Sequence, residues 1–159
     1  MKYAENITLP LVKRLTIAYL LAVVVAYVAA SIFQSLSVLA ALQKAGADLS
    51  IGNWLQTVFH DLYGFTFSGM VPQSLTIMAG FVIAMPTAAL IHKVLRLPRW
   101  ILYPLAGATA MATILYVVKL NFYGSPLYPG TRGWSGFGLQ LLAGALGGAL
   151  FAALSKRRT

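Results

Sequence analysis

The chain has no cysteine, three acidic residues (Glu5, Asp48 and Asp61) and two histidines (His60 and His92), and each shortage removes a class of chemistry. Without cysteine there is no disulfide, no thiol nucleophile and no cysteine-based metal site. Three scattered carboxylates provide no inward-facing acid pair for general acid–base work. The two histidines fall on opposite sides of an apolar run, so a metal ion within one chain does not reach both. No serine elbow and no glycine-rich phosphate loop is present. These absences predict neither a metal nor a cofactor, and they disfavour an enzyme. Charged residues make up only 9% of the 159 positions. A soluble domain carries about a quarter, so this chain does not fold against water.

A net charge of +9 invites a nucleic-acid reading, but the placement of the charges opposes it. Nine of the twelve basic residues fall in three short groups beside apolar runs: Lys2, Lys13 and Arg14; Lys93, Arg96 and Arg99; Lys156, Arg157 and Arg158. Such grouping is expected at the cytoplasmic ends of membrane spans. The predicted partner is therefore membrane lipid and not nucleic acid.

What is present in abundance is apolar length: 59% hydrophobic residues and a mean hydropathy of +0.78. Leu15 to Leu42 carries no charge, and its roughly 42 Å of helix exceeds the ~30 Å hydrocarbon core. It is also about twice as long as the apolar core of a signal peptide, and no cleavage site follows in a short-helix context. Ala18, Ala22, Ala26 and Ala30 form a small-residue stripe on it, and Ser31, Gln34 and Ser35 make its outer end polar. Gly46 ends the helix.

Asp48 or Ser50 then caps a short amphipathic helix, with Ile51, Leu55, Val58, Phe59 and Leu62 on one face. Asn53, Gln56, His60 and Asp61 take the other side. At about 13 residues it is too short to cross and is read as interfacial, on the outer surface. The aromatic segment 63–71 continues at headgroup depth, with a partly re-entrant loop as the alternative.

The second span, with Pro86 in its interior, is expected to kink, with Thr87 helping to satisfy the freed backbone groups. Its close-packing residues are Gly80, Ala84 and Ala88. A basic turn returns the chain to the third span, where Ala106, Gly107, Ala110 and Thr113 play the same part and Pro104 falls in the first turn. Residues 121–133, with their glycines and prolines, read as loop.

The last segment, Trp134 to Leu154, gives at four-residue spacing Gly136, Gln140, Gly144, Gly148 and Ala152, one nearly bare helical stripe. In water each interior glycine costs about 1 kcal/mol against alanine. In lipid the small-xxx-small pattern lets another backbone approach. This stripe is the predicted packing or oligomer interface.

The expected fold class is an all-α membrane protein: four transmembrane helices in an up-down bundle plus a short interfacial amphipathic helix between helices 1 and 2. It forms a single integral membrane domain, 1–159, with spans at about 15–42, 73–94, 100–120 and 134–154 and the interfacial helix at about 50–62. Basic residues number nine on the predicted inner side against Lys44, Lys119 and Arg132 outside. Both termini are thus expected on the cytoplasmic side. Without a transit-type leader, a bacterial inner membrane is the simplest home.

Three functional readings follow. The first is a non-catalytic oligomeric or accessory membrane component that binds lipid and pairs with its own copies or with a larger membrane protein. The second is a homo-oligomeric channel or small-solute transporter, with Gln140, Gly144 and Gly148 along a neutral path or Gln34 and Gln140 at its mouth. Against coupled transport, no charged residue or histidine lies at mid-depth in a span. The third is a lipid- or quinone-handling enzyme using His60 and Asp61, although sequence neighbours do not face each other on a helix. Gln34, His60, Asp61, Lys119 and Arg132 make up a candidate outer polar site.

Overall fold

The computed structural model describes residues 2–47, 50–67, 72–121, 129–131 and 133–156, and these fold almost entirely into α-helices. The helices are α1 (Lys2–Lys44), α2 (Ile51–Phe67), α3 (Gln73–Leu95), α4 (Arg99–Asn121) and α5 (Trp134–Leu154), with a 3-10 turn at Pro129–Thr131. Four of them, α1, α3, α4 and α5, are long and apolar enough to cross a membrane.

α1 begins well before the expected residue 15: the helix runs on through Pro10, although that residue has no N–H to donate, into the polar N-terminal segment. Apolar length marks where lipid begins, not where the helix does. Its end follows from Gly46, whose φ of +91° is the left-handed region that favours glycine. The Ala47 amide then reaches back to the Leu42 carbonyl at 3.1 Å, satisfying one of the last carbonyls of the helix.

α2 starts at a serine cap: the Asn53 amide donates to Ser50 Oγ at 3.3 Å. Asp48, the other predicted cap, lies outside the described residues. The helix continues past the expected residue 62 through Tyr63, Gly64 and Phe67, so this part of the aromatic segment is helical. Residues 68–71, the rest of it, lie outside the described residues. α2 folds back along α1, since the two are joined by a short turn while Asp61 bonds Ser35. Trp54, Thr57, Val58, Asp61 and Leu62 are half-buried. Ile51, Leu55, Phe59 and Tyr63, one residue per turn, remain exposed. The predicted apolar face is thus divided, with Val58 and Leu62 turned inward and the rest outward.

α3 stays helical across Pro86, which lies on its exposed side. Thr87 Oγ1 donates to the Ile83 carbonyl at 2.7 Å. That is not the Val82 carbonyl, which loses its partner when residue 86 has no N–H. Arg96 closes α3 in the left-handed region at φ 54°, its amide bonded to the His92 carbonyl. Pro104 sits in the second turn of α4 and not the first, because that helix begins at Arg99.

α5 is the shared neighbour of α1 and α4, and these two contacts are the most extensive in the chain. It runs antiparallel to α4, with Gly144 against Gly107 and Gly148 against Tyr103. It also runs antiparallel to α1: Gln140 meets Ala30 and Gly147 meets Ala22 and Ala26. Bare surfaces make this fit. The α1 alanines 18, 22, 26 and 30 are at most 1% exposed. A β-carbon at Gly107, Gly144 or Gly148 would overlap backbone carbonyl groups of the facing helix. Gly136 meets Gly130 in the same way, so the 3-10 turn, in a stretch expected to be irregular loop, packs against α1 and α5. α3 instead inserts bulk, with Phe81 and Ile77 fully buried and the Phe81 ring at Gly147.

Candidate functional site

Polar side chains concentrate at the end of the molecule opposite the basic turn. From Arg14 to Ser35 is 21 residues, about 31 Å of helix, so Ser35 lies roughly one hydrocarbon thickness away. Tyr27, Ser31, Gln34 and Ser35 share one face of α1, spaced by three, four or one residues. Ser31, Gln34, Ser35, Gln73 and Gln140 are each at most 2% exposed. Gln140 Nε2 donates to the Ala30 carbonyl at 2.9 Å. Ser35 Oγ lies 2.8 Å from Asp61 Oδ2 and 3.1 Å from the Ser31 carbonyl. A hydroxyl has one proton, and the shorter bond to a carboxylate is the stronger. Several acceptors and donors of this layer have no partner among the described residues: Ser31 Oγ, both amide atoms of Gln34, Gln73 Oε1 and Gln140 Oε1.

Of the predicted outer polar site, the structure buries Gln34 and docks Asp61 beside it. His60 and Lys119 are exposed, and Arg132 lies outside the described residues. His60 and Asp61 do not form a dyad, since Asp61 faces α1 while His60 points away. Asn53 and Gln56, the predicted neighbours of His60, are exposed as well. Ser31 and Ser35 belong to this layer, and their spacing from Gln34 in the sequence is the signal that finds them.

The predicted interface stripe is filled from within the chain. Gly136, Gln140, Gly144 and Gly148 are buried against α1, α4 and the 3-10 turn, and Ala152 is half-buried. Unfilled small-residue space lies elsewhere, between α3 and α4. There a groove of about 410 Å3 is floored by Gly80, Ala84 and Ala88 from one helix and Ala106, Ala110 and Thr113 from the other. Leu102 and Ile91 stand at its end nearest the basic turn. It extends along α3 from Gly80 to Ile91, about 16 Å, or half of a ~30 Å hydrocarbon core. The hydroxyls on its wall are used by their own helices. Thr87 donates to Ile83, Thr109 to Ala106 and Thr113 to Thr109, at 2.7–3.0 Å. The groove therefore presents methyl and methylene groups. α3 is also the least enclosed span, with 22% of its apolar window buried against 39% in the other three.

At the basic end, three helices meet at Ser155, the C-cap of α5. Arg14 Nη2 donates to its carbonyl at 3.4 Å and Arg99 Nη2 to its hydroxyl at 2.6 Å. The Arg99 guanidinium also lies 5.1 Å from the Tyr103 ring centre, and that ring packs on Phe151 at 5.2 Å. Both arginines were visible in the sequence as flanking charge, but their convergence was not. Lys156 is exposed beside them, and Arg157 and Arg158 lie outside the described residues. No group of three His, Asp or Glu side chains gathers among the described residues. No protein-family model, curated protein or solved structure matches the chain.

Proposed function

We propose that the protein is a non-catalytic accessory component of a bacterial inner membrane that holds a lipid acyl chain in the groove between α3 and α4. The observation that carries this reading is the groove itself: apolar, about half a bilayer long, and open where the chain is least enclosed. Its volume falls in the range of small-ligand sites. Its threonine hydroxyls are bonded to their own helices, so nothing there would orient a polar solute or take part in a reaction. An acyl chain needs neither. Each CH2 group removed from water gains about 0.8 kcal/mol, but a chain already in the bilayer gains only through fit and dispersion. Binding would therefore be selective by shape rather than tight.

In this reading the four spans form an up-down bundle with both termini on the cytoplasmic side, and α2 lies at the outer interface. The groove then opens toward the inner leaflet. Copies of the chain or a larger membrane protein would dock on the small-residue walls of α3 and α4, since the α5 stripe is occupied. For the same reason, a channel along Gln140, Gly144 and Gly148 would need α5 to leave its partners.

The test is to carry a photoreactive group on a lipid acyl chain and map its crosslinks in vesicles. Crosslinks should fall on groove residues such as Ala84 and Thr109, and Thr109→Phe should suppress them. Crosslinks spread evenly over exposed α3 and α4 positions, unaffected by Thr109→Phe, would sink the acyl-chain reading. A discrete oligomer in native mass spectrometry that Thr109→Phe dissociates would put a helix of another copy in the groove instead.

A further inference from the structure

We propose that Arg14 and Arg99 form a binding site for a phosphate oxyanion at the basic end of the bundle, of the kind carried by a phospholipid headgroup. The two residues come from α1 and α4 and turn toward one serine at the end of α5. A guanidinium has five N–H donors in a planar fork matched to phosphate. Here each donates a single hydrogen bond, and the Arg14 bond, at 3.4 Å, is long for N–H···O. Nε of each is buried with no acceptor among the described residues. Both side chains are half-buried, which weakens the hydration that would otherwise compensate two neighbouring positive charges.

Among the side chains described, the one carboxylate is Asp61. It is bonded to Ser35 at the opposite end. Asp48 lies outside the described residues, and Glu5 precedes Arg14 by nine residues, about 13 Å along the helix. Among the described residues the carbonyl end of α5 is the negative pole that faces the pair, and Ser155 accepts one bond from each arginine. This accounts for their convergence but leaves most of the donors unspent. A phosphate would take up such donors in bidentate fashion and cancel the like-charge repulsion. The Tyr103 ring, itself braced by Phe151, holds Arg99 in place for that contact.

The site is separate from the groove. Arg99 and Tyr103 lie on the α5 side of α4, whereas Leu102, Ala106 and Ala110 face α3. A variant that fills one leaves the other intact, so the two proposals fail independently.

The experiment is thermal unfolding of the full-length protein in an uncharged detergent, titrated with phosphatidylglycerol, with inorganic phosphate, or with sodium chloride at matched ionic strength. Phosphatidylglycerol is expected to raise the midpoint, and Arg14→Gln or Arg99→Gln to weaken the response at least tenfold. Lys13→Gln, which removes an exposed neighbouring charge, is expected to leave it unchanged. An equal response to inorganic phosphate, lost in the same variants, would keep the oxyanion site and make its source a soluble phosphate. If the glutamine variants do not fold, Arg14→Lys and Arg99→Lys keep the charge while losing the fork, and a response reduced several-fold is expected. The proposal is overturned if the wild-type midpoint responds to neither phosphate compound beyond sodium chloride. It is overturned equally if Lys13→Gln weakens the response as much as Arg99→Gln does.

Discussion

Gly107 and Gly144 meet backbone to backbone: a β-carbon on either would run into the carbonyl group of the other. This one pairing sets how closely α4 and α5 approach, and Gly148 repeats it one turn on, against Tyr103. Glycine is required at these positions by the neighbouring helix and not by the local backbone, which is ordinary α-helix.

A contrast between two glycines of α5 follows. Gly144→Ala should destabilise the folded chain by about 1–3 kcal/mol, the usual cost of forcing bulk into a packed core. Gly138 has open space where a β-carbon would go, so Gly138→Ala should be neutral or stabilising by up to about 1 kcal/mol through helix propensity. Unfolding of the two variants in mixed micelles, compared with wild type, measures both. Equal destabilisation would contradict the close approach of α4 and α5.

The boundaries of α3, α4 and α5 were legible because hydropathy, Pro98 and the glycine-rich loop all punctuate the chain at the same places. The small-residue stripes were legible too, since a four-residue repeat of Gly and Ala has a direct helical meaning. What such a repeat does not contain is its partner. Gly136, Gly144 and Gly148 read as a packing or oligomer interface, and the structure packs them within the chain; Gly80, Ala84 and Ala88 read as close-packing positions, and of these Ala88 is buried while Gly80 and Ala84 are only half-buried. The reason is Phe81. By filling the centre against Gly147 it sets how α3 sits on the bundle, and Gly80 and Ala84 then floor an open groove with α4. The polar layer was half visible. Ser31, Gln34 and Ser35 announce a polar face, but Asp61 reaches Ser35 only because α2 folds back along α1. Helical periodicity does not encode that return.

Gln140 tests how much the polar layer contributes. Its Nε2 has a partner in the Ala30 carbonyl, while its Oε1 has none among the described residues. Interhelical hydrogen bonds in membranes average about 0.6 kcal/mol, and replacing a half-satisfied amide with an apolar group of similar shape also removes an orphaned acceptor. Gln140→Met should therefore cost well under about 1 kcal/mol. Gln140→Ala, which leaves a void beside α1, should cost about 2 kcal/mol or more. If both cost the same, the hydrogen bond rather than the packing dominates this position.

The Ser35–Asp61 bond is one side-chain tie between α2 and the polar face of α1, and the Tyr27 hydroxyl, which donates to the Leu62 carbonyl, is another. A hydrogen bond to a charged group contributes about 1.5 kcal/mol at the low end, so Asp61→Ala should speed amide exchange across α2 by roughly tenfold. Amides of α4 and α5, which pack chiefly on each other, α1 and α3, should be unchanged. Asp61→Asn keeps an acceptor for the Ser35 hydroxyl and should retain most of the protection. A uniform rise in exchange over the whole chain would mean that α2 is part of one cooperative unit with the spans.

The absence of cysteine turns the orientation into a direct measurement, because any introduced thiol is the only one in the chain. Arg14, Arg99 and Ser155 meet at one end, so Lys93 and Lys156, both exposed, lie at the same end of the bundle. Lys44 lies about 45 Å along α1 from Arg14, beyond the ~30 Å hydrocarbon core on the other side. In intact cells, a membrane-impermeant thiol reagent should label Lys44→Cys and spare Lys93→Cys and Lys156→Cys. Opening the membrane should make all three reactive. Labelling of Lys156→Cys from outside would reverse the inside-positive assignment and place the arginine pair in the outer leaflet. Labelling of Lys93→Cys and Lys156→Cys from different sides would break the four-span arrangement itself.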